Sequence, residues 1–251
     1  MNRANDTHGT VRLFVDEPLA AGLMCTLTDA QSHYVGTVMR RRPGDHVFVF
    51  NGRDGEWHGE VTAGAKRSVT LRITTQTQPQ TITCPIALLF APLKRARNDL
   101  LIEKATELGV TRLQPVLMQH AVATRVNAPR MRATAIEAAE QAHRLDIPVI
   151  DPPRSLAETR QLWDPSGILV VCDTPQRATC PPLAQCLTTA PGVTGLMIGP
   201  EGGFAAAERD ALAACPFVRQ AHLGPRILRA ETAAIAALAV WQSVCGNGAV
   251  G

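Results

Sequence analysis

Two stretches of the chain determine its expected fold: GLMIGPEGGF at residues 195–204 and VRQAHLGPRILRAETA at residues 218–233. Each starts as a strand-like segment, turns at a Gly-Pro pair, and leads into a segment of helical character, over 204–214 and 230–244 respectively. Earlier apolar segments, also typical of buried strands, occur at residues 86–91, 113–118 and 168–172. Because buried strands alternate with helices, this part of the chain predicts an α/β fold with a mainly parallel sheet.

The N-terminal part of the chain has a different pattern. Residues 11–75 contain short segments of alternating or β-branched character, and Asn51-Gly52 is a strong signal for a β-hairpin turn. Within this part, the apolar spacing predicts a helix over 29–39 with Thr28 as its N-cap. Residues 76–84 lack periodicity and include a proline, which is typical of a linker. The sequence therefore predicts a small, mostly β module joined to the α/β part.

The composition argues against several classes of protein. The 251 residues are 45% apolar and 19% charged, which suits a folded core and is untypical of disorder. The net charge of +3 is too small for histone-like electrostatic binding of nucleic acid. This charge is unevenly distributed: it is +1 over residues 1–80, +3 over 81–150 and −1 over 151–251. An anionic partner is therefore expected to meet the first 150 residues.

Motifs for several common chemistries are missing from the sequence. The odd number of cysteines, seven, does not form a disulfide framework, so we expect a reducing compartment. The cysteines form no Cys-x-x-Cys pair and the seven histidines lack metal-ligand spacing, so we expect no metal site. The sequence contains no phosphate-binding P-loop, no dinucleotide fingerprint and no Gly-x-Ser-x-Gly elbow. Residues 1–10 do not resemble a signal peptide, and no apolar segment reaches 18 residues. These features predict a cytoplasmic protein without membrane contact.

The two Gly-Pro loops carry the candidate chemistry. Gly199 and the Gly202-Gly203 pair remove side chains where a ligand could approach the backbone, although an ordinary turn would also explain them. In the second loop Glu231 suits the positive end of a helix dipole, whereas Arg229 does not and is expected to face an anion. The alternatives are a solvent-exposed arginine and, for Glu231 and Glu201, helix capping.

The two loop motifs closely resemble the signature of the ribosomal RNA small subunit methyltransferase E family. Weaker similarities to the same family precede the two loops along the chain. They occur in the family's order at Arg12–Val15, His33 with Val38–Arg40, Pro43–Asp45, Leu93-Lys94, Lys104–Val110 and Glu137–Gln141. Enzymes of this family use S-adenosylmethionine to methylate N3 of a uridine in 16S ribosomal RNA. They belong to the SPOUT superfamily, in which the C-terminal domain contains a deep trefoil knot.

The resemblance implies a domain organisation, a cofactor and partners. Residues 1–76 would form a PUA-like RNA-binding β-barrel, and residues 77–251 a SPOUT methyltransferase domain with a trefoil knot. The partners would be 16S ribosomal RNA within the small subunit and a second copy of the chain in a homodimer. S-adenosylmethionine would be held by the loop after residues 168–172 and by the two motifs, at Ile198, Gly199, Pro200, Glu201, Gly202, Gly203, Leu223, Gly224, Ile227, Leu228 and Thr232.

The resemblance also suggests roles in the reaction. Arg229 would stabilise negative charge on a uracil oxygen, and Glu231 or Glu201 would accept the N3 proton. The methyl donor is already activated, so no covalent intermediate with the protein is needed. The expected contacts to RNA phosphates are Arg12, Arg40, Arg41, Lys94 and Arg97. Solvation is the alternative for these side chains, and for Arg12 a structural ion pair within the barrel.

The chain departs from the family at three places, which leaves two other functions open. Ala230 stands where the family usually has threonine, Ala142-His143-Arg144 replaces Cys-Gly-Arg, and Gln119–Ala123 replaces a Glu-Arg-Ser-type segment. A SPOUT methyltransferase that acts on another RNA would have similar loops. A catalytically inactive RNA-binding assembly factor would have kept the fold but would not bind S-adenosylmethionine.

Overall fold

The computed structural model describes residues 11–65, 68–81, 83–123, 125–173, 180–190 and 192–246. These residues form two compact units. The described residues up to 81 belong to the first unit together with 139–147, and the remainder belongs to the second. Residues 139–147 thus return to the N-terminal unit after the chain has entered the second one. The domain boundary at residues 76 and 77 stays a prediction.

The first unit is built on a five-stranded mixed sheet. Its elements in chain order are β1 (Arg12–Phe14), β2 (Met24–Thr26), α1 (Asp29–His33), a π-helical turn (Tyr34–Val38), β3 (His46–Phe50), β4 (Glu56–Ala65) and β5 (Ser68–Gln78). The strand order is β1-β3-β4-β5-β2, and β1 pairs with β3 in parallel while the other pairs are antiparallel. One buried core takes side chains from all five strands, and it includes the alternating residues Val69, Leu71 and Ile73 of β5.

The hairpin between β3 and β4 confirms the turn predicted at Asn51-Gly52. Asn51 Oδ1 accepts hydrogen bonds from the backbone N–H groups of Arg53 and Asp54, which closes the loop. Gly55 at its end has a φ of +78°, and a Cβ there would lie 2.2 Å from the Gln78 carbonyl oxygen. Glycine is therefore required at this position by both its backbone conformation and its close contact with β5.

The helix expected over 29–39 is shorter in the structure. Thr28 caps it as predicted, in a capping box with Gln31, but α1 ends at His33 and the chain continues as the π-helical turn. Ser32 binds outside the helix, because its Oγ donates to the Leu27 carbonyl and accepts from Val69 N–H. Gly36 within the turn also has a low helix propensity. Both features favour the wider turn over a regular helix.

The second unit contains a parallel sheet. Its strands are β6 (Ala87–Phe90), β7 (Arg112–Leu117), β8 (Val149–Ile150), β9 (Arg154–Ser155), β10 (Ile168–Cys172), β11 (Val193–Ile198) and β12 (Val218–Ala221). Its helices are α2 (Arg95–Glu107), α3 (Ala128–Gln141, which ends in the first unit), α4 (Leu156–Leu162), α5 (Leu183–Thr189), α6 (Ala206–Ala213) and α7 (Ala230–Val244). The strand order is β12-β10-β11-β6-β7-β8, and β9 also pairs with β7. The predicted α/β fold with a mainly parallel sheet is confirmed, whereas the trefoil knot stays a prediction.

Both faces of this sheet are covered by helices. Leu88 and Phe90 of β6 join a core with side chains of α2, α3, α5 and α7, while Ala87 and Leu89 join a second core with α4 and α6. Burial on both faces explains why these strands are continuously apolar. The sequence patterns miss β2, β8, β9, α4 and α5, although the Ser155–Glu158 capping box is a readable start signal for α4. No helix among the described residues is long and apolar enough to cross a membrane.

Candidate active site

The two Gly-Pro loops leave the sheet at the same edge. Strands β11 and β12 are both neighbours of β10 and run parallel to it, so the loops that follow them lie on either side of its carboxyl end. The segment after β6 approaches the same edge, where Ala91 N–H donates to the Ile198 carbonyl at 3.4 Å. Ligands of open α/β sheets bind at the carboxyl ends of the strands. The fold thus brings the two sequence motifs into one candidate site.

The first loop, between β11 and α6, is tightly packed. Gly203 has a φ of +72° and donates its N–H to the Pro200 carbonyl at 2.8 Å, which closes the turn. A Cβ on Gly199 would lie 2.7 Å from the Phe204 ring, and one on Gly202 would lie 3.1 Å from His120 Cβ. A side chain at position 199 would therefore displace the Phe204 ring, and position 202 leaves little room for one.

A neighbouring segment that the sequence did not single out as part of the site holds this loop in place. After β7, His120 Nδ1 lies 3.0 Å from the Gly203 carbonyl oxygen, so the Nδ1–H tautomer can donate to it. Gln119 N–H donates to one carboxylate oxygen of Glu208, and Ala205 N–H donates to the other. Residues 119 and 120 are among those in which the chain departs from the family pattern. Their role could not be read locally, because it depends on contacts more than 80 residues away.

The second loop, between β12 and α7, is more open. Gly224 has a φ of +106°, and a Cβ there would meet no atom within 4 Å. Ile227 is 86% exposed although it is apolar, and Leu223 and Leu228 are half-buried. Beyond them, Arg229 and Thr232 are exposed. The loop therefore presents apolar side chains and two cations, Arg226 and Arg229, without a dense packing of its own.

Glu231 is buried and incompletely bonded. It lies in the first turn of α7 with 6% of its surface exposed, and its Oε2 is buried with no hydrogen-bond partner among the described residues. The alternative role of helix capping would place backbone N–H groups on this carboxylate, and Oε2 accepts none. Leaving such an acceptor unpaired costs about 1–3 kcal/mol or more. The buried oxygen is therefore well placed to bind a donor from a ligand.

Arg97 connects the first loop with the first turn of α7. This residue of α2 forms an ion pair with Glu201 of the first loop, and its Nε lies 3.7 Å from Oε1 of Glu231 in α7. The sequence predicted Arg97 as a contact to RNA phosphates, and it did not anticipate that one guanidinium would meet both candidate proton acceptors. Three separate segments of the chain supply this group of charges.

The structure corrects the role predicted for Arg12. Its guanidinium is buried, with Nε donating to Glu56 at 2.5 Å and the other nitrogens donating to the carbonyls of Ala139 and Arg144. It also lies over the Phe50 ring, 3.9 Å from its centroid. Burial lowers the pKa of Arg12, and the Glu56 carboxylate opposes that effect. Arg12 is the structural ion pair that was the alternative reading, and it is not available to RNA.

The other predicted phosphate contacts lie on surfaces. Arg40 is exposed and has a φ of +53°, which is unusual for a residue other than glycine. Arg41 is half-buried, and Lys94 is exposed at the N-cap of α2.

A cleft of about 540 Å³ lies at the amino ends of the strands in the second unit. Its lining includes Arg112, Gln114, Asp151, Arg154, Trp163 and Thr194. None of the residues predicted for the cofactor lines this cleft.

Comparison with known proteins covers both parts of the chain. The family described as RNA methyltransferase domain matches residues 80–242, and the RNA methyltransferase PUA domain matches residues 27–74. Ribosomal RNA small subunit methyltransferase E of Rickettsia conorii is 30% identical over 229 residues, covering 91% of this chain and 93% of the relative. The protein of the same name from Synechocystis sp. is 32% identical over 219 residues, covering 85% and 71%.

A solved structure agrees with these relatives. The crystal structure of ribosomal RNA small subunit methyltransferase E from Neisseria gonorrhoeae bound to S-adenosyl methionine is 26% identical in sequence, with a TM-score of 0.82. The match covers 95% of this chain and 99% of that one. The expected RNA methyltransferase fold with a PUA-like domain is thereby confirmed. The chain belongs to the ribosomal RNA small subunit methyltransferase E family.

Proposed function

We propose that this protein transfers a methyl group from S-adenosylmethionine to N3 of a uridine in 16S ribosomal RNA. The names of the relatives from Rickettsia conorii and Synechocystis sp. support a ribosomal RNA of the small subunit as substrate. Within the structure, the observation that carries the proposal is Glu231. Its buried, unpartnered Oε2 stands at the edge of the sheet where the two motifs meet.

The residues at this edge fit S-adenosylmethionine. The exposed Ile227 and half-buried Leu223 and Leu228 offer apolar surface for an adenine ring, and the open space at Gly224 leaves room for it. We assign the binding of the cofactor to Ile198, Gly199, Pro200, Glu201, Gly202, Gly203, Leu223, Gly224, Ile227, Leu228 and Thr232. When bound, S-adenosylmethionine supplies a methyl group that its positively charged sulfur already activates. The Neisseria gonorrhoeae relative was solved with this molecule bound.

The residues of the chain have to handle the proton and the charge of the uracil ring. N3 carries a proton and lies on the Watson–Crick edge, so the base must be unpaired before it can react. Glu231 accepts the N3 proton at Oε2, which gives the buried oxygen the donor that it lacks. Arg229, exposed at the N-cap of α7, stabilises the negative charge that then develops on a uracil oxygen. Glu201 is the second candidate acceptor, but Arg97 already engages its carboxylate.

We assign the RNA contacts to three basic side chains, of which Arg40 and Lys94 are exposed and Arg41 is half-buried. Arg40, Arg41 and Lys94 bind phosphates, which fix the position of the RNA without reading its sequence. The protein acts on the small ribosomal subunit in the cytoplasm, and it does so as a homodimer. The exposed Ile227 of the second loop offers an apolar side chain for contact with the second copy. Light scattering of the purified protein would test the dimer, because a monomeric mass would exclude it.

A transfer assay tests the proposed reaction. Purified protein is incubated with methyl-labelled S-adenosylmethionine and with small subunits or 16S RNA, and the labelled nucleoside is identified by mass spectrometry. We expect N3-methyluridine, and we expect Glu231→Gln and Arg229→Ala each to lower kcat by at least 10²-fold, the usual contribution of such groups. Near-normal kcat in both variants would remove these residues from the chemistry.

The other outcomes of the assay identify the alternatives. Label on large-subunit or transfer RNA, with none on 16S RNA, would make the protein a methyltransferase for another RNA. A folded protein that binds RNA but neither binds S-adenosylmethionine nor transfers label would be an RNA-binding assembly factor.

A further inference from the structure

Arg97 has contacts that a phosphate-binding residue would not need. Its guanidinium is paired with Glu201 and approaches Glu231, and its side chain is 36% exposed. The planar guanidinium group holds its partners in a fixed orientation, which a lysine in the same place would not do. To bind a phosphate, Arg97 would have to leave two carboxylates, one of which is buried. Lys94 and Arg95 at the start of the same helix are exposed and would meet an RNA phosphate first.

The cation that the structure places beside the Glu231 carboxylate is Arg97. Helix α7 packs against α2, α5 and β11. Neither α5 nor β11 contains a charged residue, and Cys186 of α5 is their only titratable side chain. On α7 itself the nearest cation along the chain is the N-cap Arg229, which is exposed. Among the described residues, only Arg97 places a cation within 4 Å of the Glu231 carboxylate.

We propose that Arg97 is a positioning residue for the methyl transfer. It holds Glu231 through Oε1, so that the buried Oε2 is left as the proton acceptor, and it ties this carboxylate to the glycine-rich loop through Glu201. This inference rests on the proposed function, in which Glu231 accepts the N3 proton. Arg97 itself touches neither the methyl group nor the uracil; it acts through Glu231.

Two physical consequences follow from this arrangement. Without Arg97, the buried carboxylate of Glu231 has no cation within 4 Å among the described residues and loses the contact at Oε1. Glu231 can then turn away from the uridine N3, and kcat falls because the proton acceptor is no longer held in place. Because the effect passes through Glu231, it disappears when Glu231 is replaced by glutamine. A phosphate contact would show neither behaviour.

The experiment compares four enzymes: wild type, Arg97→Met, Glu231→Gln and the double variant. Their kcat is measured at pH 7 with saturating S-adenosylmethionine and 16S RNA. We expect Arg97→Met to lower kcat by at least tenfold. We expect the double variant to be no slower than Glu231→Gln alone, because residues acting as a unit have non-additive effects.

The control is Arg95→Met, a substitution of an exposed arginine on the same turn of α2. RNA affinity is measured against salt concentration for both arginine variants. Losing one phosphate contact lowers the slope of log affinity against log salt by about 0.7–0.9. We expect Arg97→Met to leave this slope unchanged. A lowered slope, together with a double variant slower than Glu231→Gln alone, would overturn the proposal and return Arg97 to the phosphate contacts.

Two further measurements keep the outcomes distinguishable. Thermal unfolding and S-adenosylmethionine titration check that each variant is folded and binds the cofactor. Arg97→Lys retains the charge but not the planar guanidinium group, and we expect its kcat to lie between those of wild type and Arg97→Met. If Arg97→Met does not fold, a wild-type kcat in Arg97→Lys would overturn the proposal. A wild-type enzyme that transfers no methyl group would contradict the proposed function itself, independently of Arg97.

Discussion

At the residue scale, burial determines how much the ion pair between Arg12 and Glu56 contributes to stability. The exposed fractions of the two side chains are 5% and 6%. Removing one partner of a buried pair leaves an uncompensated charge and typically costs about 3–5 kcal/mol. We therefore expect Arg12→Ala to lower the free energy of unfolding by several kcal/mol, measured by urea denaturation. The matched control is Arg72→Ala, whose partner Glu60 lies on the same strand as Glu56 but at the surface.

The control pair sets the scale for this prediction. The Arg72 side chain is 54% exposed, and exposed ion pairs contribute about 0–1 kcal/mol. Equal losses of stability in Arg12→Ala and Arg72→Ala would show that the burial of Arg12 has no energetic consequence. The sequence offered no means of separating these two arginines. The acceptors that hold Arg12, the carbonyls of Ala139 and Arg144, lie 127 and 132 residues away.

At the scale of elements, the sequence was most informative where the hydrophobic pattern was strongest. The parallel strands and helix α7, at Ala230–Val244, are confirmed because continuous burial leaves a pattern that extends over a whole element. Short elements such as β2 and the π-helical turn were missed or misread, since their form depends on hydrogen bonds to neighbouring segments, as at Ser32. The candidate site shows the same limit: both loops were identifiable, but the contacts of His120 and Arg97 were not.

The loop between β12 and α7 allows a prediction with a matched control. Gly224 and Gly109 both have a positive φ, +106° and +83°, and a Cβ on either would meet no atom within 4 Å. Alanine at either position should therefore cost stability through backbone strain alone, about 1–2 kcal/mol. Only Gly224 belongs to the proposed cofactor loop. We expect Gly224→Ala to weaken S-adenosylmethionine binding at least tenfold in isothermal titration, and Gly109→Ala to change it less than twofold. Equal affinities in the two variants would argue against a cofactor site at this loop.

At the scale of the whole molecule, the first unit depends on residues from the middle of the chain. Ala139 and Arg144 provide acceptors for Arg12, and the Glu140 side chain accepts from Phe14 N–H. A fragment of residues 1–82 lacks all three groups. Tolerance of truncation follows from the hydrogen bonds that are lost. We expect this fragment to unfold at a lower temperature and less cooperatively than the same fragment with Arg12→Met and Glu56→Leu. The double variant has no buried charges at these positions, so it does not need the missing acceptors.

Circular dichroism and the fluorescence of Trp57, the one tryptophan of the fragment, measure this difference. A wild-type fragment that melts cooperatively above the double variant would show that residues 139–147 are dispensable. The organisation into two units was only partly readable from the sequence. Composition and turn signals located a change of pattern near residue 76, but no local signal indicates that residues 139–147 belong with the N-terminal sheet.

The return of residues 139–147 also sets the timing of folding during synthesis. At translation rates of about 5–20 residues per second, the ribosome needs about 3–13 s to advance from residue 82 to residue 147. During that interval the N-terminal sheet has been made, but the acceptors for Arg12 have not. Its completion therefore waits for the translation of residues 139–147, and the nascent chain exposes an unfinished first unit while the second is being synthesised. Each new copy of this ribosomal RNA methyltransferase thus remains immature on the ribosome for several seconds.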